Sequence, residues 1–142
     1  MILGKSGLLY GCSGGGNFAH GTVFSIAPAK GGLPLTESII YEFQSTATGP
    51  FPNGSCGLTF EPSGRLIGTT NLGGTSSSGT VFTLTPGGGV WTLAVPYDFS
   101  PHTNGGPVEP EAPLIGVAGG YYVGTTPVGG VDGEGTVYRV KP

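Results

Sequence analysis

Charge is scarce in this chain. Five Lys and Arg stand against eight Asp and Glu, 9% of residues where a globular chain carries roughly 25%. The five basic side chains are scattered, which argues against a nucleic-acid partner, because that footprint needs a Lys/Arg cluster to displace phosphate counterions. Long apolar runs are missing too. Nothing approaches the roughly 18 residues of a bilayer-spanning helix, so no membrane insertion is expected. Met1 leads into Ile2, Leu3, Gly4 and Lys5 without the basic start and apolar stretch of a secretory signal. The expectation is a protein that acts where it is made, or one whose leader lies outside this chain. Two cysteines, Cys12 and Cys56, are too few for a disulfide scaffold and lack metal-ligand spacing, so no metal or other cofactor is expected. No helix is expected either: apolar residues never recur for long at three-to-four spacing, and Gly or Pro cuts every candidate.

What the chain has in plenty is glycine and proline, 30 and 13 residues, together with 37% hydrophobic residues. That pairing fits folded β structure with many tight turns better than a disordered chain. One phrase is written three times. Gly11-Cys12-Ser13 leads to Gly21-Thr22-Val23-Phe24, Gly68-Thr69-Thr70 to Gly79-Thr80-Val81-Phe82, and Gly124-Thr125-Thr126 to Gly135-Thr136-Val137-Tyr138. The second motif starts at 21, 79 and 135, intervals of 58 and 56. A strand-rich period of that length indicates an array of blades rather than one ordinary core.

Aligned, the units give four short segments each. In the second unit these begin at Leu58, Arg65, Gly79 and Trp91, the last broken or edged by Pro96, as suits an outermost strand. The alternation in Gly79 to Thr85 fits a half-buried strand. The fold class expected is therefore all-β: β-propeller-type blades, three four-stranded antiparallel repeats with the last lacking its fourth strand. One repeat domain covers 1–142, with blades at about 1–56, 57–112 and 113–142. Closed propellers have about four to eight blades, and three alone expose two flat faces. Closure by homo-oligomerisation is expected, most simply a dimer completing six blades. An excised piece of a longer array is the other reading.

Candidate chemistry is sparse. The glycine run 11–16 has no G-K-[ST] and no following helix, so it reads as a turn and not a phosphate loop. His20 and His102 lack a nucleophile or acid that sequence would place beside them. Asp132 and Glu134, like Glu109 and Glu111, offer too few oxygens for calcium and no distinct glycosidase pair. Phe24, Phe82 and Tyr138 share one repeat position and read as packing between blades. Cys12 and Cys56 fall at the same end of their sheets, and two readings stay open. One is a bridge contributing about 4 kcal/mol; the other is two separate buried thiols. The polar, variable loops are expected on one face, carrying Asn17, Phe18, His20, Asn53, Ser77, Asn104 and Asp132, with Trp91 added as an aromatic unique to its unit.

The phrases GRLIGTTNLGG…GTVFTLTP and YYVGTTPVGG…GTVYRVKP resemble the GloVer-type tandem repeat of the choice-of-anchor class. Leu9-Tyr10-Gly11, Tyr41-Glu42-Phe43 and Tyr97-Asp98-Phe99 extend the match, while Cys12-Ser13 departs from the usual Thr-Thr. The resemblance implies a bacterial, propeller-like protein in an exported or cell-surface setting, and implies no particular chemistry. A non-enzymatic binding or interaction module is the leading expectation, with carbohydrate as first ligand. A glycan-active enzyme with its site in a central channel, where Glu61 is the only acid on a first strand, is the alternative. A structural piece with no ligand is the third.

Overall fold

The structure is a computed structural model that describes residues 1–29, 34–44, 50–100 and 105–142, and residues 50–55 by backbone alone. His102, Asn104 and the side chain of Asn53 therefore lie outside the described residues.

The chain is all-β and its strands form four antiparallel sheets, none closed on itself. The first holds β1 (Ile2–Leu3), β2 (Leu9–Ser13), β3 (Thr22–Ala27) and β4 (Thr36–Glu42) in that order. The second holds β5 (Pro50–Phe60), β6 (Leu66–Gly73), β7 (Thr80–Gly87) and β8 (Val90–Asp98). The third holds β10 (Ile115–Val117), β11 (Tyr121–Thr126) and β13 (Thr136–Val140). Sequence anticipates these, but not the small sheet of β9 (Pro107–Val108) and β12 (Val128–Gly129), nor the 3-10 turn at Ala118–Gly120.

That small sheet has a counterpart in the second unit. There the strand expected at Leu58 begins at Pro50, and its outer part pairs Pro50 with Gly73 and Phe51 with Leu72. β9 does the same for the third unit, pairing Val108 with Val128 and Pro107 with Gly129. Each linker thus adds a short ladder to the unit it enters. Pro96 does not end β8 either. The register steps from Val81 opposite Tyr97 to Thr83 opposite Ala94, so Val95 and Pro96 form a bulge that absorbs the missing N–H.

The repeated phrase is a packing instruction. Its first glycine lies opposite the aromatic: Gly11 pairs with Phe24, Gly68 with Phe82 and Gly124 with Tyr138. A Cβ at Gly11 would stand 2.6 Å from Phe24 Cζ, and one at Gly124 2.5 Å from Tyr138 Cζ. The ring needs that space to lie across the strand. The last residue of the triplet closes the loop: Thr70 Oγ1 donates to Leu72 O at 2.7 Å and lies 2.9 Å from Thr80 Oγ1, and Thr126 repeats both contacts with Val128 and Thr136. The glycine opening the second motif turns the chain back at positive φ, 101° at Gly21, 94° at Gly79 and 97° at Gly135, a region that favours glycine.

The sheets stack in chain order, and two cores lie between them. Tyr10, Val23 and Phe43 of the first unit meet Leu58, Leu66, Phe82 and Leu84 of the second. Ile67, Val81 and Phe99 of the second meet Leu114, Tyr122, Tyr138 and Val140 of the third. The central sheet is thus covered on both faces, and Thr80 to Leu84 of β7 are buried throughout where alternation suggests one buried face. A ring contact recurs at each junction: Phe43 meets Phe82 edge-on at 5.3 Å, and Phe99 meets Tyr138 at 4.9 Å.

The outer faces carry the same residue positions uncovered. Alternation along the strands puts Met1, Leu3, Leu9, Phe24, Ile26 and Ile39 on the outside of the first sheet, where Met1, Leu3 and Ile39 are exposed. The outside of the third carries Ile115, Val117, Val123 and Val137, the last 75% exposed.

Candidate functional site

Every sheet runs between a loop end and a turn end. The loop end carries the β2–β3, β6–β7 and β11–β13 connections, and the turn end carries the tight hairpins.

At the loop end a carboxylate fixes the loop of its own unit. Glu42 accepts from the Asn17 backbone N–H and, at 3.1 Å, from Asn17 Nδ2. Asp98 Oδ2 accepts from Thr75 N at 2.8 Å and Thr75 Oγ1 at 2.6 Å. Both acids are the middle residue of the Tyr-x-Phe closing a fourth strand. The sequence analysis names Glu42 and Asp98 only within those Tyr-x-Phe matches; the readable signal is an acid at the same position in both units. Phe18 is half exposed, Ser77 and Asp132 are exposed, and His20 is half-buried at the foot of its loop. This end carries Asn17, Phe18, His20, Ser77 and Asp132 on three loops, one per unit. No group of three or more His, Cys, Asp or Glu fit to hold a metal occurs among the described residues.

Trp91 is not with them. It opens β8 at the turn end, opposite Pro86, where the β7–β8 hairpin lifts it against the first unit. There Lys5, Ser6, Tyr10, Phe60, Gly64, Pro86 and Trp91 line a hollow of about 260 Å³. Tyr10 holds it together, edge-on to Phe60 at 4.9 Å and to Trp91 at 6.4 Å. A second hollow of about 450 Å³ lies between the second and third units, lined by Glu61, Pro62, Ser63, Arg65, Gly120, Tyr122, Lys141 and Pro142. The two occupy one repeat position: Ser6 corresponds to Ser63, Gly64 to Gly120 and Pro86 to Pro142.

Electrostatics divides the ends. Lys5, Arg65, Arg139 and Lys141 lie at the turn end together with two carboxylates, Glu37 and Glu61, whereas six carboxylates, Glu42, Asp98, Glu109, Glu111, Asp132 and Glu134, lie towards the loop end. Arg65 grips Glu61 with both arms, at 2.6 and 2.7 Å. That hydrogen bonding and charge hold the Glu61 carboxyl below its ordinary range. Arg139 and Lys141 sit over the Tyr121 ring at 4.4 and 5.2 Å from its centroid.

Between the first two units Cys12 of β2 and Cys56 of β5 form a disulfide, with Cα atoms 6.1 Å apart. The first and second sheets are therefore covalently cross-linked.

A family model described as the Gloeobacter/Verrucomicrobia repeat matches residues 1–142, and with it the phrases that carry the resemblance noted above. No curated protein and no solved structure matches the chain.

Proposed function

The chain belongs to the Gloeobacter/Verrucomicrobia repeat family, and from that premise we propose that it is a non-enzymatic binding module of propeller-type blades that a second copy closes into a ring. The observation that carries this reading is the pair of unmatched outer faces. Met1, Leu9, Phe24 and Ile26 stand where Leu58, Leu66, Phe82 and Leu84 stand in the second unit, and those residues are covered by the first. Val123 and Val137 stand where Ile67 and Val81 stand, and those are covered by the third. The two outer faces are the two halves of a junction the chain already makes twice. Leaving them in water exposes contiguous apolar surface of the kind that marks an interface. Two copies related by a two-fold axis bring each half against its complement, twice, and give six blades around one axis.

A binding role fits the ends better than catalysis does. Glu61, the acid expected to serve a channel enzyme, is clamped by Arg65 and held ionised, so it lacks the raised pKa of a general acid. At the other end the first two loops are each held by a carboxylate of their own unit, Glu42 and Asp98, which are thereby engaged in structural contacts. Carbohydrate is the ligand class we favour, because the turn end offers half-buried aromatic rings in a hollow open to solvent.

The test of the ring is absolute mass by light scattering on a sizing column. About twice the 14.2 kDa of the chain is expected. A monomer that stays dispersed at high concentration would sink the reading.

A further inference from the structure

The binding-module reading says nothing about which sugars are taken, and the repeated hollows of the turn end do. Resting on that reading, we propose that the two hollows together form one extended site for an acidic oligosaccharide, a chain of uronic-acid type whose rings seat in the hollows and whose carboxylates face Lys5 and Lys141.

The first hollow is bounded by Tyr10, Phe60 and Trp91 with Lys5 and Ser6 at its rim. Aromatic rings present flat apolar faces that suit the C–H faces of a sugar ring, while the rim supplies donors for its oxygens. At about 260 Å³ the hollow is smaller than the 300 Å³ at which drug-sized pockets begin, so it holds about one ring. Affinity must then come from several hollows, and a second one stands at the same repeat position in the next junction.

Lys5 joins them. It lines the first hollow, and its ammonium donates to the carbonyl of Pro62 at 2.9 Å, a residue lining the second. An ammonium has three N–H donors, so this contact leaves two for a ligand lying across the ridge. In the second hollow the Arg65 charge is balanced by Glu61, and Lys141 lies over the Tyr121 ring with no salt bridge among the described residues. A neutral sugar can only accept hydrogen bonds from these two ammonium groups, whereas an acidic chain gains charge attraction at each as well. The six carboxylates named at the loop end repel the same ligand, which assigns it to one end of the molecule.

The chain has one tryptophan, so its fluorescence reports on the first hollow alone. The experiment titrates the protein with oligogalacturonides of two to six units, and with malto-oligosaccharides of equal length, following Trp91 emission and the heat of binding. Expected are saturable quenching by the acidic series only, a step in affinity at the length that reaches both hollows, and weakening by added salt. Lys5→Gln and Lys141→Gln should each weaken binding about three- to fivefold with at most a small loss of stability. Equal binding of neutral and acidic series, or indifference to both lysine variants, would overturn the proposal while leaving a glycan-binding module. No response to any oligosaccharide would overturn the glycan assignment itself, and the ring would then stand or fall on its measured mass.

Discussion

Thr69 donates its hydroxyl proton to the carbonyl of Ala112 at 3.2 Å, across the junction of the second and third sheets. Cys12 and Cys56 hold the corresponding places in the preceding junction, where a disulfide takes over from the hydrogen bond. The repeat therefore meets one requirement, joining the second strand of a unit to the linker entering the next, with two chemistries. A disulfide closing 44 residues stabilises by about 4 kcal/mol on the chain-entropy account, against about 1 kcal/mol for a typical hydrogen bond. Replacing the pair as Cys12→Thr with Cys56→Ala imports the second solution into the first junction. The variant should fold and lose about 3 kcal/mol in urea denaturation. A loss of strand signal in circular dichroism would show that the junction cannot be rebuilt this way.

The space under each aromatic ring makes a sharp prediction. Gly68→Ala drives a Cβ into the Phe82 ring in a fully buried site, and should cost about 1–3 kcal/mol through overpacking. Gly87→Ala, where a Cβ meets nothing within 4 Å, should change stability by less than about 0.5 kcal/mol. Paired thermal melts decide it, and equal effects would disprove the packing role of the first glycine.

Tyr138 occupies the position of Phe82, yet its hydroxyl is buried without a hydrogen-bond partner among the described residues. Burial pushes its pKa well above the ordinary tyrosine value. Tyr138→Phe keeps the edge-on contact with Phe99 and removes the unsatisfied oxygen, so a gain of about 1 kcal/mol is expected. Destabilisation in a denaturant titration would show that the hydroxyl does find a partner.

The outer faces predict a complementation. Phe24→Glu and Val137→Glu each damage one half of the proposed junction between copies, and each should lower the measured mass towards that of one chain. Neither residue lies in the cores between sheets, so both variants should keep their strand content. Mixed together, the two variants retain one intact pair of faces and should recover a two-chain species. Variants that stay at the wild-type mass would place the contact elsewhere.

The Glu61–Arg65 pair sets a pH dependence. The Glu61 carboxyl is held below its ordinary value of 4.5, so its stabilisation is present above that pH and fades as pH falls through the lower folded value. Because Arg65 is partly exposed, the effect should stay below about 1 kcal/mol. Melting temperatures from pH 6 to pH 3 should fall less for Glu61→Gln than for the wild type, and parallel curves would remove the pair from the account.

The legible part of this chain is whatever the repeat writes more than once. Gly68 opposite Phe82 and Gly124 opposite Tyr138 can be aligned by eye, and strand order follows from them. What repeats only in geometry is hidden. Pro50–Phe51 and Pro107–Val108 make equivalent ladders from dissimilar residues, and the corresponding sides of the two hollows hold Lys5 and Pro62. Trp91 was misplaced because its uniqueness says nothing about which end of β8 it sits on; the hairpin at 87–90 decides that. Asn17 and Phe18 sit at the loop end as expected, but the carboxylate that fixes their loop lies 25 residues away at Glu42.

The central sheet is covered on both faces and the outer two on one. Opening the central sheet enough to free amide hydrogens along β6 and β7 disrupts packing on two faces, whereas along β3 and β13 it disrupts packing on one. The exchange rates of a single chain should form a profile with its minimum in the middle, rising towards both outer sheets, and those of the closed pair of chains a flatter one. Because covering an outer face would flatten that profile, deuterium uptake counts the neighbours each sheet has in solution.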